Sequence, residues 1–365
     1  MKAAIRSVRS VRHAAGSLLV VGISGMELTG LERAWLKLVR PAGVILYRRN
    51  IADARQTRAL LAESMSYCNE AGLRCVDIEG GTVDRLRDAV APMPSAQAVA
   101  QTGKVALMRR HGELIAKETL AFGFNTTLAP VLDLALPASA AVLGTRSVAP
   151  TAAGVIAYAR AFLSGLAAHG VIGCGKHYPG LGGGPLDSHL ETPAIDRSWP
   201  ELWREDLMPY HELATELPMI MVSHATYPRT PGGDRPATAS AYWITAILQK
   251  RIGYRGLIFS DDMEMGGMLK FLPIEEAAIA VVRAGIHLME ICHSPELILR
   301  GYESLIHEAE RSVAFRTLLR ERAVLTGRLC TARFGRTPSK ALSATQFAGL
   351  RDRILRFRAA IEGAL

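Results

Sequence analysis

No C-x-x-C pair occurs among the five cysteines, Cys68, Cys75, Cys174, Cys292 and Cys330. Their scatter and odd number exclude a zinc ribbon, a dithiol redox motif and a disulfide framework, and the thiols read as reduced and mostly packed, as in a cytoplasm. No apolar run approaches the ~18 residues of a membrane-spanning helix. The apolar stretch Leu18–Val21 follows Lys2, Arg6, Arg9 and Arg12. It is too short for a secretory signal and lacks a small-x-small cleavage site, so it reads as a first strand. The tip of that strand has no G-x-G-x-x-G, and the glycines from Gly180 to Gly184 have no following G-K-[ST], which argues against a nucleotide or phosphate cradle.

Hydrophobic residues make up 49% of the 365, enough for one barrel-sized core. The net charge of +9 is uneven: twelve basic and two acidic residues between Arg311 and Arg358 give that segment +10 and leave the remainder near neutral. Such a segment can meet an anionic partner, but aromatic residues do not interleave the charges as a nucleic-acid stacking surface needs. Two solvated helices are the expectation, with no nucleic acid as partner.

A β-rich apolar run, a polar tip and an amphipathic stretch recur along the chain. The runs are Ser17–Gly22, Gly43–Tyr47, Leu73–Ile78, Thr126–Leu134, Val171–Cys174, Met219–Val222, Gly256–Phe259 and Ile286–Ile291. Helical stretches such as Ala52–Cys68, Lys104–Ala121, Ala152–Ala168 and Ile274–Ala284 separate them. Eight strand–helix units with right-handed crossovers predict an α/β fold, a closed (β/α)8 TIM-type barrel, over an open doubly wound sheet. Residues 1–310 form the expected barrel and 311–365 a basic helical extension packed on or beside it.

Catalytic groups of such a barrel sit at the carboxyl ends of several strands. Here those tips carry Asp77 and Glu79, Asp133, Lys176 and His177, Ser223 and His224, Ser260-Asp261-Asp262, and Cys292-His293. Asp261 follows a buried strand directly and is placed to attack an electrophilic carbon. After the fifth run comes the loop Lys176–Pro193, too rich in glycine and proline for a strand. In its Asp187-Ser188-His189 a carboxylate can orient an imidazole for proton transfer. Asp133 reads as a structural strand terminator and His293 as satisfying a core carbonyl. Asp77 can pair with Arg85 or Arg146.

Together these segments resemble glycoside hydrolase family 3, and within it the β-N-acetylglucosaminidases (β-N-acetylhexosaminidases) of bacterial cell-wall recycling. The resemblance rests on Pro41–Asn50, on Asp77–Gly81 with Val83 and Arg85, on Ala129–Leu134, on Leu143–Ser147, on the Gly-rich loop, and on Ile258–Met263. It implies that Asp261 is the nucleophile, His189 the general acid/base and Asp187 its partner. It further implies that Asp77, Arg85, Arg146, Lys176 and His177 bind the terminal N-acetylglucosamine, with His224 and Met263 as further lining. Covalent attack by Asp261 while His189 protonates the leaving oxygen gives retention, with a histidine where most such enzymes use a second carboxylate. Leu181, Thr82 and His287 depart from the family pattern.

The resemblance thus implies a cofactor-free cytoplasmic exo-glycosidase acting on peptidoglycan-derived muropeptides, monomeric by preference. The rival readings are a phosphorylase, a metal-dependent hydrolase using His177, His189, His224 and Asp261, and a non-catalytic sugar-binding protein. No His-x-His pair stands at an early strand tip to support the metal.

Overall fold

The computed structural model describes residues 11–68, 72–184, 192–334 and 340–364. Eight parallel strands close a barrel: β1 (Leu19–Gly22), β2 (Gly43–Leu46), β3 (Leu73–Val76), β6 (Thr126–Thr127), β7 (Ile172–Tyr178), β8 (Met219–Val222), β9 (Leu257–Asp262) and β10 (Leu288–Ile291). Each pairs with its sequence neighbour, and β10 returns to β1. All eight predicted runs contribute, so the open sheet is excluded. A hairpin of β4 (Ile78–Gly80) and β5 (Val83–Asp84) stands outside the barrel, directly after β3.

Strands buried on both faces are largely apolar below their tips, and their alternation sorts side chains into two layers. Val20, Ile45, Cys75, Cys174, Met221 and Phe259 fill the barrel interior. Val21, Val44, Val76, Ile220 and Ile258 face the surrounding helices. Each such side chain withdrawn from water contributes about 1.5–3 kcal/mol before entropy is set against it. All five cysteines are buried and no disulfide joins them. Among the described residues, no helix is long and apolar enough to cross a membrane.

Helices begin where short polar side chains take up the first free N–H groups. Thr29 and Glu32 form a capping box, and Asp53, Ser95, Thr151 and Ser294 accept from the N3 backbone.

Two strands differ from expectation in the same way. The fifth run is expected to end at Cys174, yet β7 continues through Lys176 and His177 to Tyr178. A register shift gives β7 three steps, Gly175 to Tyr178, against two on β8. The same happens on β9, where Phe259 to Asp262 spans three steps against two on β10. An extra residue in one strand breaks the up–down alternation and re-aims side chains. The fourth run is shorter than expected: only Thr126–Thr127 pair regularly, followed by a bridge from Val131 to Lys176, because Pro130 has no N–H for the ladder.

The basic extension forms helices Val313–Phe334 and Ala344–Glu362. The first crosses beneath the barrel, where Cys330 joins the interior cluster and the Thr326 hydroxyl donates to the His287 carbonyl at 3.0 Å. The second lies on the helix Val105–Ala121, with Phe357 stacked on His111 at 5.9 Å between ring centroids. Arg351, Arg353, Arg356 and Arg358 on its other faces are exposed.

Candidate active site

Strand alternation puts Asp77, at the end of β3, and Glu79, two residues on in β4, on one side of the rim. Left-handed glycines at Gly80 (φ +88°) and Gly81 (φ +64°) then turn the chain back into β5. That reversal brings Arg85 over Asp77, its N–H 3.3 Å from the Asp77 carbonyl and its Nη2 3.4 Å from Oδ2.

Lys176 Nζ lies 2.8 Å from Asp77 Oδ1 and 2.6 Å from Glu79 Oε1. Arg146 grips Glu79 with two donors, Nε and Nη2, each at 2.8 Å. Of the two partners expected for Asp77, Arg85 is therefore found and Arg146 belongs to Glu79 instead, while Lys176 is the second partner of Asp77. Burial alone would neutralise Glu79, but Arg146 and Lys176 outweigh it and hold the carboxyl far below its ordinary range. Burial also favours a neutral Lys176, and Asp77 and Glu79 overcome it, keeping the ammonium charged.

His177 is held from the fourth strand. Its Nδ1 is 2.6 Å from Asp133 Oδ2, and Asp133 also accepts the backbone N–H groups of His177 (3.2 Å) and Leu181 (2.7 Å). Nε2 faces Arg146 Nη2 at 3.5 Å. Asp133 thus positions the histidine as well as ending its strand, and Leu181 enters the site through its backbone.

Asp261 stands at the β9 bulge, where its Oδ1 accepts the Asp262 N–H at 2.9 Å. Burial raises its pKa, while the fields of His177 and His224, this hydrogen bond and Lys176 together lower it further, leaving the carboxyl below its ordinary range. His224 is fully buried beneath the tip: Nδ1 is 2.9 Å from Thr238 Oγ1, and Nε2 is 2.9 Å from the Asp262 carbonyl. Since a carbonyl only accepts, Nε2 carries the proton. Burial lowers the His224 pKa.

Asp77, Arg85, Arg146, Lys176 and His177 therefore form one connected network, and the fields of His177 and Lys176 reach Asp261. Met263, directly after β9, has no exposed surface and belongs to the large apolar cluster. Asp187 and His189 lie outside the described residues. His293 does not satisfy a core carbonyl: its side chain is 56% exposed and Nδ1 pairs with Glu264 Oε2 at 2.9 Å. Sequence reasoning assigned no role to Glu79 and underrated Asp133. The i, i+2 spacing of Asp77 and Glu79, and an acid at the tip beside a histidine-bearing strand, were the available signals.

One further group was unforeseen. Glu290 is buried inside the rim of β10, with Tyr47 Oη 3.0 Å and Cys292 Sγ 2.9 Å from its Oε1. Burial, with Asp262 nearby, pushes Glu290 up to about 8.

Removing the carboxylate at 133 tests the positioning role. Asp133→Ala strands three donors and is expected to raise KM about 10–100-fold, with a smaller change in kcat. Asp133→Asn, which keeps one acceptor, should recover part of the loss in steady-state kinetics.

The family model described as the glycosyl hydrolase family 3 N terminal domain matches residues 10–316. A beta-hexosaminidase of Stenotrophomonas maltophilia (strain R551-3) is 33% identical over 333 residues, covering 89% of this chain and 98% of the relative. One from Tolumonas auensis is 36% identical over 280 residues, covering 76% and 83%. Among solved structures, NagZ from Neisseria gonorrhoeae in complex with N-trifluoroacetyl-D-glucosamine superposes with a TM-score of 0.76 at 28% identity, over 95% of this chain and 98% of that one. A family 3 beta-N-acetylglucosaminidase from Paenibacillus sp. str. FPU-7 gives 0.84 at 27% identity, over 96% and 69%. With its closed barrel, its ionic rim and these matches over most of its length, the chain belongs to glycosyl hydrolase family 3 and is a glycoside hydrolase.

Proposed function

We propose that the protein is a retaining exo-β-N-acetylglucosaminidase that removes terminal N-acetylglucosamine from peptidoglycan-derived muropeptides in the cytoplasm. The observation that carries this reading is the pairing of an ionised carboxylate at the β9 tip with the Asp77–Glu79–Lys176–Arg146–His177 network on the same rim. Fixed, paired donors and acceptors of this kind hold sugar hydroxyls by bidentate hydrogen bonds. A carboxylate beside them is placed to meet the anomeric carbon.

Asp261 attacks C1 and the C1–O bond to the leaving group breaks, with His189 giving its proton to the departing oxygen. Asp187 supports the imidazolium that His189 presents. Water then attacks C1 of the glycosyl ester, passing its proton to His189 and freeing Asp261. The names of the curated relatives and the N-acylated glucosamine bound by the Neisseria protein support an acetamido sugar.

Release of an aryl leaving group separates the substrates. The aryl N-acetyl-β-glucosaminide is expected to turn over at least 100-fold faster, by kcat/KM, than the aryl β-glucoside, a gap of about 2.7 kcal/mol. The sugar released first should have the β configuration by NMR. Equal turnover of both sugars would refute the substrate assignment, and a first-formed α-sugar would refute retention.

A further inference from the structure

The chain on either side of residues 185–191, the stretch that includes Asp187 and His189, is held by two different sets of contacts. On the near side, Asp133 Oδ1 accepts the Leu181 N–H at 2.7 Å, and Tyr227 Oη donates to the Gly180 carbonyl at 2.9 Å. The Gly184 N–H closes a turn on the Leu181 carbonyl at 3.0 Å. On the far side, the Thr192 hydroxyl donates to the Gly267 carbonyl at 2.9 Å. Behind it, Thr226 donates its N–H to the Pro193 carbonyl and accepts the Ile195 N–H, each at 2.8 Å.

The two sides also meet each other. A Cβ on Gly183 would strike the Arg197 stem, and one on Gly184 would strike Ile195, so glycine is what lets them pass. Arg197 Nε in turn lies 2.8 Å from Oδ2 of the buried Asp206, which packs on Gly180.

The far anchor belongs to the nucleophile's side of the rim. Gly267 lies in the short helix Gly266–Leu269, which follows Asp261 in the chain. The turn between them is tied down by the Glu264 N–H on Asp262 Oδ1 (3.1 Å) and the Met265 N–H on the Asp262 carbonyl (3.0 Å). Thr192 is therefore fixed to the segment that carries Asp261. His189 precedes Thr192 by three residues and follows Gly184 by five. Extended chain covers at most about 3.6 Å per residue, so the far tether is about 11 Å long and the near one about 18 Å. The shorter tether sets the tighter limit on where the imidazole can stand.

We propose that Thr192 is a positioning residue for the acid/base. Its hydroxyl bond to Gly267 holds the His189 end of the loop on the β9 side of the mouth, and without it proton transfer to the leaving oxygen slows while attack by Asp261 does not. The role of Thr192 rests on the proposed role of His189, whereas the Thr192–Gly267 contact does not. The chemical step is unchanged: Asp261 bonds C1, the C1–O electron pair goes to the leaving oxygen, and His189 supplies the proton that neutralises it. A leaving group that is stable as an anion does not need that proton, and a poor one does.

Leaving groups of different acidity separate positioning from structure. kcat/KM reports the steps up to departure of the leaving group, so it is compared for the phenyl and the 2,4-dinitrophenyl N-acetyl-β-glucosaminides. Thr192→Val is close in shape and lacks the hydroxyl. It should lose about tenfold on the phenyl substrate, against the ~10²–10⁴ that general acid catalysis contributes as a whole, and stay within about twofold on the dinitrophenyl one. Thr192→Ser, which keeps the donor, should recover most of the loss. His189→Ala should show the same pattern more strongly, with a loss of about 100-fold or more on the phenyl substrate alone. An equal fall on both substrates in Thr192→Val, an unchanged phenyl rate, or a Thr192→Ser protein as slow as Thr192→Val would overturn the positioning role while His189 keeps its pattern. If His189→Ala itself lost both substrates alike, the acid/base reading would fall and the role of Thr192 with it.

Discussion

Asp261→Asn is expected to cut turnover of an aryl N-acetyl-β-glucosaminide by a factor on the order of 10⁴ or more at neutral pH. The amide keeps the shape of the side chain, and its oxygen can still accept the Asp262 N–H that now holds Oδ1 at 2.9 Å. The fold should therefore survive, and thermal unfolding should move little. What is lost is the negative charge that the site keeps below its ordinary pKa despite burial. Added azide gives a second reading of the same variant. It can enter the space of the missing nucleophile and attack C1 directly, yielding a glycosyl azide of α configuration. Retention of a tenth or more of wild-type kcat would remove Asp261 from the mechanism.

Glu79→Gln has the largest expected effect on stability. Glu79 accepts two hydrogen bonds from Arg146 and one close contact from Lys176, and all three side chains are largely withdrawn from water. Removing one partner of a buried ion group leaves uncompensated charge and costs about 3–5 kcal/mol. The loss should depend on pH in a definite direction. Folding lowers the Glu79 pKa, so in acid the unfolded chain takes up a proton that the folded chain refuses. The stabilisation is complete above its ordinary value of 4.5 and drains away as the pH falls below it. Denaturant midpoints of wild type and Glu79→Gln should lie far apart at neutral pH and approach each other in acid. A constant gap would show that Glu79 is not held ionised.

The barrel was legible because its strands are largely apolar and its helices carry polar starts, so eight repeats could be counted in the chain. Asp77, Lys176 and Asp261 could be singled out because each puts a charge at the end of an apolar run and they recur on several such runs. The bulges were not. Nothing in the periodicity of Gly173–Tyr178 or Leu257–Asp262 shows that one residue goes unpaired, yet this re-aims the side chains at the mouth. Glu79 and Asp133 escaped for a different reason. They act through Arg146, Lys176 and His177, and a residue that works by holding another leaves no sign until the pair is seen in space. The outward His293 and the unforeseen Glu290 belong to the same class, since the contacts of both depend on the β10 register.

The helix Val313–Phe334 lies under the barrel, and side chains fill the interior above it. Among the described residues the barrel is therefore filled from that side. On the proposed reaction, sugar, departing aglycone and incoming water would all use the opposite mouth. On the proposed double displacement, the aglycone must clear that mouth before water can reach the glycosyl ester, so the aglycone is expected to leave first and N-acetylglucosamine second.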